Sequence, residues 1–139
     1  WDRAALYALR GSFAQGFTEK AWPQLAAYTR NRLLGERAPY PIEAWPEGGM
    51  RHLSGESALY CRIVTEGILG IEPLGLHRFA LTPRCLPGIE SWSLENIHAF
   101  GTVFTIRIDG KSCRVVSEHG SLNIPMEERS VVEFSADTR

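Results

Sequence analysis

Apolar positions repeat with a period of three to four up to about residue 71 and with a period near two after it. Leu6, Leu9 and Phe13, with Ala5 beside them, form one helical stripe, and Gly16 is placed to end that helix. A second stripe runs through Trp22, Leu25, Ala26, Thr29 and Leu33. Pro23 is expected in its first turn, where a missing N–H costs nothing, and Gly35 serves as its C′ residue. The short connection between these helices predicts an antiparallel hairpin. Residues 36–53 read as a long loop carrying Pro39, Pro41, Pro46, Gly48 and Gly49. Ser54 then offers an N-cap with Glu56 in the first turn. Leu59, Tyr60, Ile63, Val64 and Gly67 give a third helix a broad buried face, and Gly70 stops it.

From Leu74 the pattern becomes that of strands. "LHRFALTP" sets Leu76, Arg78 and Ala80 against His77, Phe79 and Leu81, and "WSLENIHAFG" continues in the same way. "GTVFTIRIDG" puts Val103, Thr105 and Arg107 on one face and Phe104, Ile106 and Ile108 on the other. Asp109-Gly110 marks a hairpin into "KSCRVVSEHG". "SLNIP" and "RSVVEFSA" add two short strands, for five or six antiparallel strands in all. The expected class is α+β: a helical hairpin plus a third helix over 1–72, then a small antiparallel β-sandwich over 73–139.

With 139 residues, 44% of them hydrophobic and 22% charged, the chain has room for one modest core or two small ones. A formal net charge of −1 supplies no basic field for nucleic acid or an anionic membrane, and no apolar run reaches the roughly 20 residues of a membrane helix. Cys61, Cys85 and Cys113 lie 24 and 28 residues apart without a C-x-x-C pair. They are read as free, buried or half-buried thiols rather than zinc ligands or a disulfide framework. The chain opens on Trp1 inside a helical pattern with no signal-peptide core, and it is expected to be a fragment or a processed chain. "LSGES" lacks the first Gly and the preceding strand of a nucleophile elbow, and the other Gly turns do not form a phosphate loop. No metal site and no cofactor are expected.

The densest chemistry lies in "YPIEAWPEGGMRHLSGES", residues 40–57. Glu43, Glu47 and Glu56 are the candidate catalytic carboxylates. A pair of carboxyl groups beside an aromatic wall is the equipment of glycoside chemistry, one protonating the leaving oxygen and the other acting on water or the anomeric carbon. Trp45 offers a face to a sugar ring, and Arg51 and His52 offer donors to hydroxyls, so these three are the candidate substrate-binding residues. Each has a plainer reading: Glu56 as a helix N-terminal carboxylate favoured by the macrodipole, Glu43 and Glu47 as solvated loop acids, Arg51 as an ion-pair partner, His52 as a core histidine and Trp45 as a structural aromatic.

The stretch "PYPIEAWPEGGMRHLSGESALYCRIVTEGILGIEPLGLHRFALTPRCLP" resembles the end of a six-hairpin, (α/α)6-barrel glycosidase. The resemblance is carried by Glu66-Gly67-Ile68-Leu69-Gly70-Ile71, then Gly75-Leu76, Leu81, Pro83, Leu86 and Pro87. It implies a last barrel helix followed by a β-sandwich, a catalytic carboxylate at Glu43 or Glu47, and an acid partner encoded before Trp1. It also implies a carbohydrate substrate and a chain inactive by itself. Three helices cannot close a ring of twelve, so Trp1, Leu6, Phe13, Trp22 and Tyr60 are expected at exposed helical faces through which the chain self-associates. The alternative reading is a non-catalytic carbohydrate-binding or structural and assembly module.

Overall fold

The structure is a computed structural model that describes residues 2–34 and 54–134. It divides into two compact units, Trp1–Ile68 and Leu69–Arg139. The fold is α+β, with three helices followed by two antiparallel sheets.

In the first unit, α1 spans Asp2–Ala14, α2 spans Thr18–Arg32 and α3 spans Ser54–Arg62. The helical path continues from α3 through a wider π-helical stretch, Ile63–Ile68. The Leu6–Leu9–Phe13 stripe of α1 is buried as its spacing predicts. Gly16 caps the helix in the left-handed region (φ 80°). Its N–H donates to Phe13 O at 2.9 Å and the Phe17 N–H donates to Ser12 O at 2.9 Å, the two bonds of a Schellman motif. The expected exposure of Leu6 and Phe13 is not found. Both are fully buried, because α3 and the π stretch pack on α1, with Ile63 also fully buried and Gly67 close against Phe13 and the Arg10 backbone. A Cβ on Gly67 would lie 3.1 Å from the Phe13 Cβ, which is why this crossing takes a glycine. Trp22 and Tyr60 are half-buried, and Trp1 lies outside the described residues.

The second helix differs from expectation at its start. Thr18 and Ala21 are buried and helical, so α2 begins five residues before Pro23, which sits in the second turn rather than the first. The i→i−4 bond to the Glu19 carbonyl is therefore missing, a fault that costs about 3 kcal/mol in a regular helix interior. Of the predicted stripe only Leu25 is buried, and Trp22, Ala26, Thr29 and Leu33 are intermediate. Asp2 of α1 contacts Tyr28 and Arg32 at the far end of α2, so the two helices run antiparallel, as their short connection requires. Ser54 is itself helical, and the position before it lies outside the described residues, as does Gly35.

The second unit holds seven strands: β1 Glu72–Gly75, β2 Arg78–Leu81, β3 Ser91–Ala99, β4 Thr102–Asp109, β5 Ser112–Ser117, β6 Gly120–Pro125 and β7 Ser130–Glu133. They form a three-stranded sheet, β1-β2-β7, and a four-stranded meander, β3-β4-β5-β6. Gly70 precedes them at φ 63°, and a Cβ there would meet the Thr82 carbonyl oxygen at 2.7 Å. The strand missed by the alternation is β1, which carries Pro73 and so is confined to an edge. On β4 the predicted alternation holds throughout, with Phe104, Ile106 and Ile108 buried. On β2 it does not: Phe79, Ala80 and Leu81 are all buried, the short Ala80 lying between its cross-strand neighbours Glu72 and Val131 on a central strand.

The two sheets share one core built from Phe79 and Leu81, Phe104, Ile106 and Ile108, Cys113 and Val115, Ile124, Val132 and Phe134. Phe79 is its centre, with ring centroids 4.6 Å from Phe100, 5.3 Å from Phe104 and 5.9 Å from Phe134. A bulge between Leu94 and Ile97, with Asn96 left-handed (φ 55°), lets Trp92, Leu94, Ile97 and Ala99 all pack against this core. The Asp109-Gly110 turn is present: Asp109 pairs with Ser112 across Gly110 and Lys111, and φ is positive only at Gly110, the pattern of a type II′ hairpin.

Cys61 and Cys85 are exposed, contrary to the expectation of buried or half-buried thiols, because Cys61 falls on the outer side of α3. Cys113 is buried in the sandwich core, and that burial pushes its thiol up to about 11.

Candidate functional site

The antiparallel hairpin brings the start of α1 beside the end of α2, and α3 begins against α1. Four charged side chains meet there. Arg3 donates from Nε to Glu56 Oε1 at 2.8 Å, with Nη2 also at 2.8 Å from the same oxygen. Tyr28 Oη donates to Asp2 Oδ2 at 3.2 Å, and Arg32 Nη2 lies 3.7 Å from Asp2 Oδ1. Two carboxylates thus face two guanidiniums, and the cluster is neutral in sum.

Burial gives these contacts their weight. Glu56 is 0% exposed and Asp2 3%. Carboxylates so far from water persist only when paired and hydrogen-bonded. The Tyr28 phenol is pushed up, first by burial and then by the charge of Asp2 and its hydrogen bond. Glu56 adds to the shift and Arg32 opposes it, so the hydroxyl stays protonated and remains a donor. Tyr28 stacks on Tyr60 with centroids 6.2 Å apart, and the Tyr60 hydroxyl is 2.8 Å from Thr29 Oγ1, which also donates to Leu25 O at 2.8 Å. The Glu56 Oε2 atom and the Ser57 Oγ atom are buried without a hydrogen-bond partner among the described residues.

Beside the cluster lies a cleft of about 250 Å³ lined by Trp22, Leu25, Ala26, Thr29, Arg30 and Tyr60. Tyr60 stands one helical turn beyond Glu56, so the cleft and the buried carboxylate belong to the same face of α3. Two aromatic rings, a guanidinium and a hydroxyl around a small apolar floor match the needs of a sugar ring: apolar C–H faces to cover and hydroxyls to bond. A larger groove of about 630 Å³ runs along α1 and α2, lined by Tyr28 and Arg32 of the cluster together with alanines, Lys20, Gln24 and Asn31 among others.

Of the residues singled out from sequence, Glu56 is the one the structure describes. It is not a solvated N-terminal carboxylate but a buried one, held from 53 positions away by Arg3. Glu43, Glu47, Trp45, Arg51 and His52 lie outside the described residues. Asp2, Arg3, Tyr28 and Arg32 were not singled out. Their signal was indirect, since an antiparallel hairpin must bring Asp2 toward the Tyr28–Arg32 turn. No local pattern, however, tells that Arg3 reaches Glu56. Among the described residues no group of three His, Cys, Asp or Glu side chains is placed to hold a metal ion, and no helix is long and apolar enough to cross a membrane. Comparison of the chain with known protein families, with curated proteins and with solved structures finds no match.

Proposed function

We propose that this chain is the C-terminal portion of a carbohydrate-active enzyme of the glycoside hydrolase type, the end of an α/α barrel with its β-sandwich. In this reading it supplies one wall of a sugar pocket and has no turnover by itself. The observation that carries it is the α2–α3 cleft, which sets Trp22, Tyr60, Thr29 and Arg30 around a small apolar floor. The order of elements, three helices and then two antiparallel sheets, accords with the family resemblance. Glu43 and Glu47 remain the proposed catalytic carboxylates, with Trp45, Arg51 and His52 as sugar contacts in the segment that leads into α3.

The Arg3–Glu56 pair favours a second reading for these 139 residues alone, a carbohydrate-binding module without catalysis. A carboxylate tied to a guanidinium and closed from water orients its surroundings more readily than it exchanges protons with a substrate. Glycosidase chemistry requires two positioned carboxyl groups across a closed pocket. Assayed against a panel of aryl glycosides and oligosaccharides, the chain is expected to bind without turning over. Turnover that disappears in Glu43→Gln would overturn the second reading and establish the first in its catalytic form.

A further inference from the structure

The outer face of the four-stranded sheet carries a feature that the cleft does not use. On β4 and β5, Arg107 and Arg114 are Cα partners in the antiparallel register, and both side chains are exposed. Directly opposed residues in such a pair have Cβ atoms about 5 Å apart, and like charges there destabilise a sheet. Among the described residues no ion pair relieves this repulsion. Arg114 donates from Nε to the neutral Asn123 at 3.2 Å, and Arg107 has no hydrogen-bond or ion-pair partner among the described residues. Of the carboxylates along β3 and β4, Glu95, which falls in the β3 bulge, and Asp109 form no ion pair with either guanidinium, and Glu95 instead accepts from Ser93 at 3.2 Å. The row continues on both sides with small polar groups, running Ser93, Arg107, Arg114, Asn123 across four strands.

We propose that this row is a binding site for an acidic saccharide, whose carboxylate bridges the two guanidiniums while neighbouring sugar hydroxyls meet Ser93 and Asn123. An oxyanion between two arginines turns their repulsion into paired charge-assisted hydrogen bonds, and the planar guanidinium fits a carboxylate with two donors at once. The sheet register fixes the two backbone positions opposite each other, and binding adds the cost of ordering the two exposed side chains. The choice of a saccharide rather than another carboxylate rests on the sugar reading of the chain; the choice of an anion rests on the arginine pair alone.

The test is a ¹⁵N-detected titration of the whole chain with tetragalacturonate, with maltotetraose and with inorganic sulfate. Tetragalacturonate is expected to shift the amides of residues 105–107 and 114–116 saturably, whereas maltotetraose leaves them unmoved. Arg107→Thr and Arg114→Thr are each expected to weaken binding at least about tenfold, the scale of a lost charged hydrogen bond. Their melting temperatures should be unchanged or higher, because the like-charge contact is gone. Absence of shifts on β4 and β5, or shifts that survive both substitutions, overturns the proposal. Sulfate binding as tightly as tetragalacturonate overturns it too, since the site would then be a simple anion site. Shifts from maltotetraose confined to α2 and α3, without any from tetragalacturonate on the sheet, would sink this site and leave the proposed function standing.

Discussion

Phe79→Ala is expected to lower the stability of the β-sandwich unit by about 4 kcal/mol, the largest effect of any single truncation in the molecule. Phe79 is fully buried and touches three other rings, Phe100, Phe104 and Phe134, which come from three different parts of the unit. The loss combines the transfer free energy of the ring, the cavity left between two sheets that cannot collapse onto it, and the aromatic pair contacts. Denaturant unfolding, followed by near-ultraviolet circular dichroism, measures it. For a unit this small the thermal midpoint should fall by at least about 15 °C. Phe79→Leu, which refills much of the volume, should recover more than half of the loss. A change below about 1.5 kcal/mol for the alanine variant would mean that the two sheets do not share the core described above.

Arg3→Ala is expected to destabilise the helical unit by about 3 kcal/mol. Breaking a buried ion pair from one side leaves a carboxylate with no water and no partner, a loss of roughly 3–5 kcal/mol. The lower end applies here because the Arg3 side chain is 52% exposed, so the pair is already partly screened by solvent. The Glu56 side chain is 0% exposed, and its second oxygen has no hydrogen-bond partner among the described residues. Replacing both residues, as Arg3→Met with Glu56→Leu, should restore most of the stability, since a buried pair exchanged for apolar groups is close to neutral. A double-mutant cycle should return a coupling of about 2 kcal/mol or more between positions 53 residues apart in sequence. Arg3→Ala within 0.5 kcal/mol of the parent, by the usual scale of surface substitutions, would show that Glu56 reaches solvent or another donor.

These two predictions fall on residues of different legibility. On β4 the inward set of Phe104, Ile106 and Ile108 is legible residue by residue because a two-residue period depends only on the local pleat, whereas Phe79 lies in β2, where the buried Ala80 breaks the alternation. The stripe of α1 and its Gly16 cap are legible because the three-to-four-residue period and the left-handed cap residue are also local features. The apolar stripe puts Pro23 in the first turn of α2, but Thr18 and Ala21, small residues with little hydrophobic weight, already belong to its buried side. The edge strand β1 was hidden by its proline, and Ala80 by its central position between two flanking strands. An unclosed ring of helices leaves Leu6 and Phe13 on open faces, yet the π-helical stretch after α3 packs on α1 and both are buried.

The site was less legible than the fold. Glu56 could be picked out by its place in the first turn of α3, but its burial and its tie to Arg3 depend on helices meeting across 53 residues. Pairing of that kind is set by tertiary packing and leaves no periodic trace. The Arg107–Arg114 opposition is the reverse case, since once the Gly110 hairpin and its register are accepted the two positions must face each other.

The central proposal is that the faces around α2 and α3 bind sugar. Its most direct measurement is an NMR titration with neutral oligosaccharides, read at the indole N–H groups of Trp22 and Trp45 and at the ring of Tyr60. Saturable shifts at all three, with an affinity in the millimolar range or better, are the predicted result. Shifts at none of them, at concentrations well above that range, would contradict it.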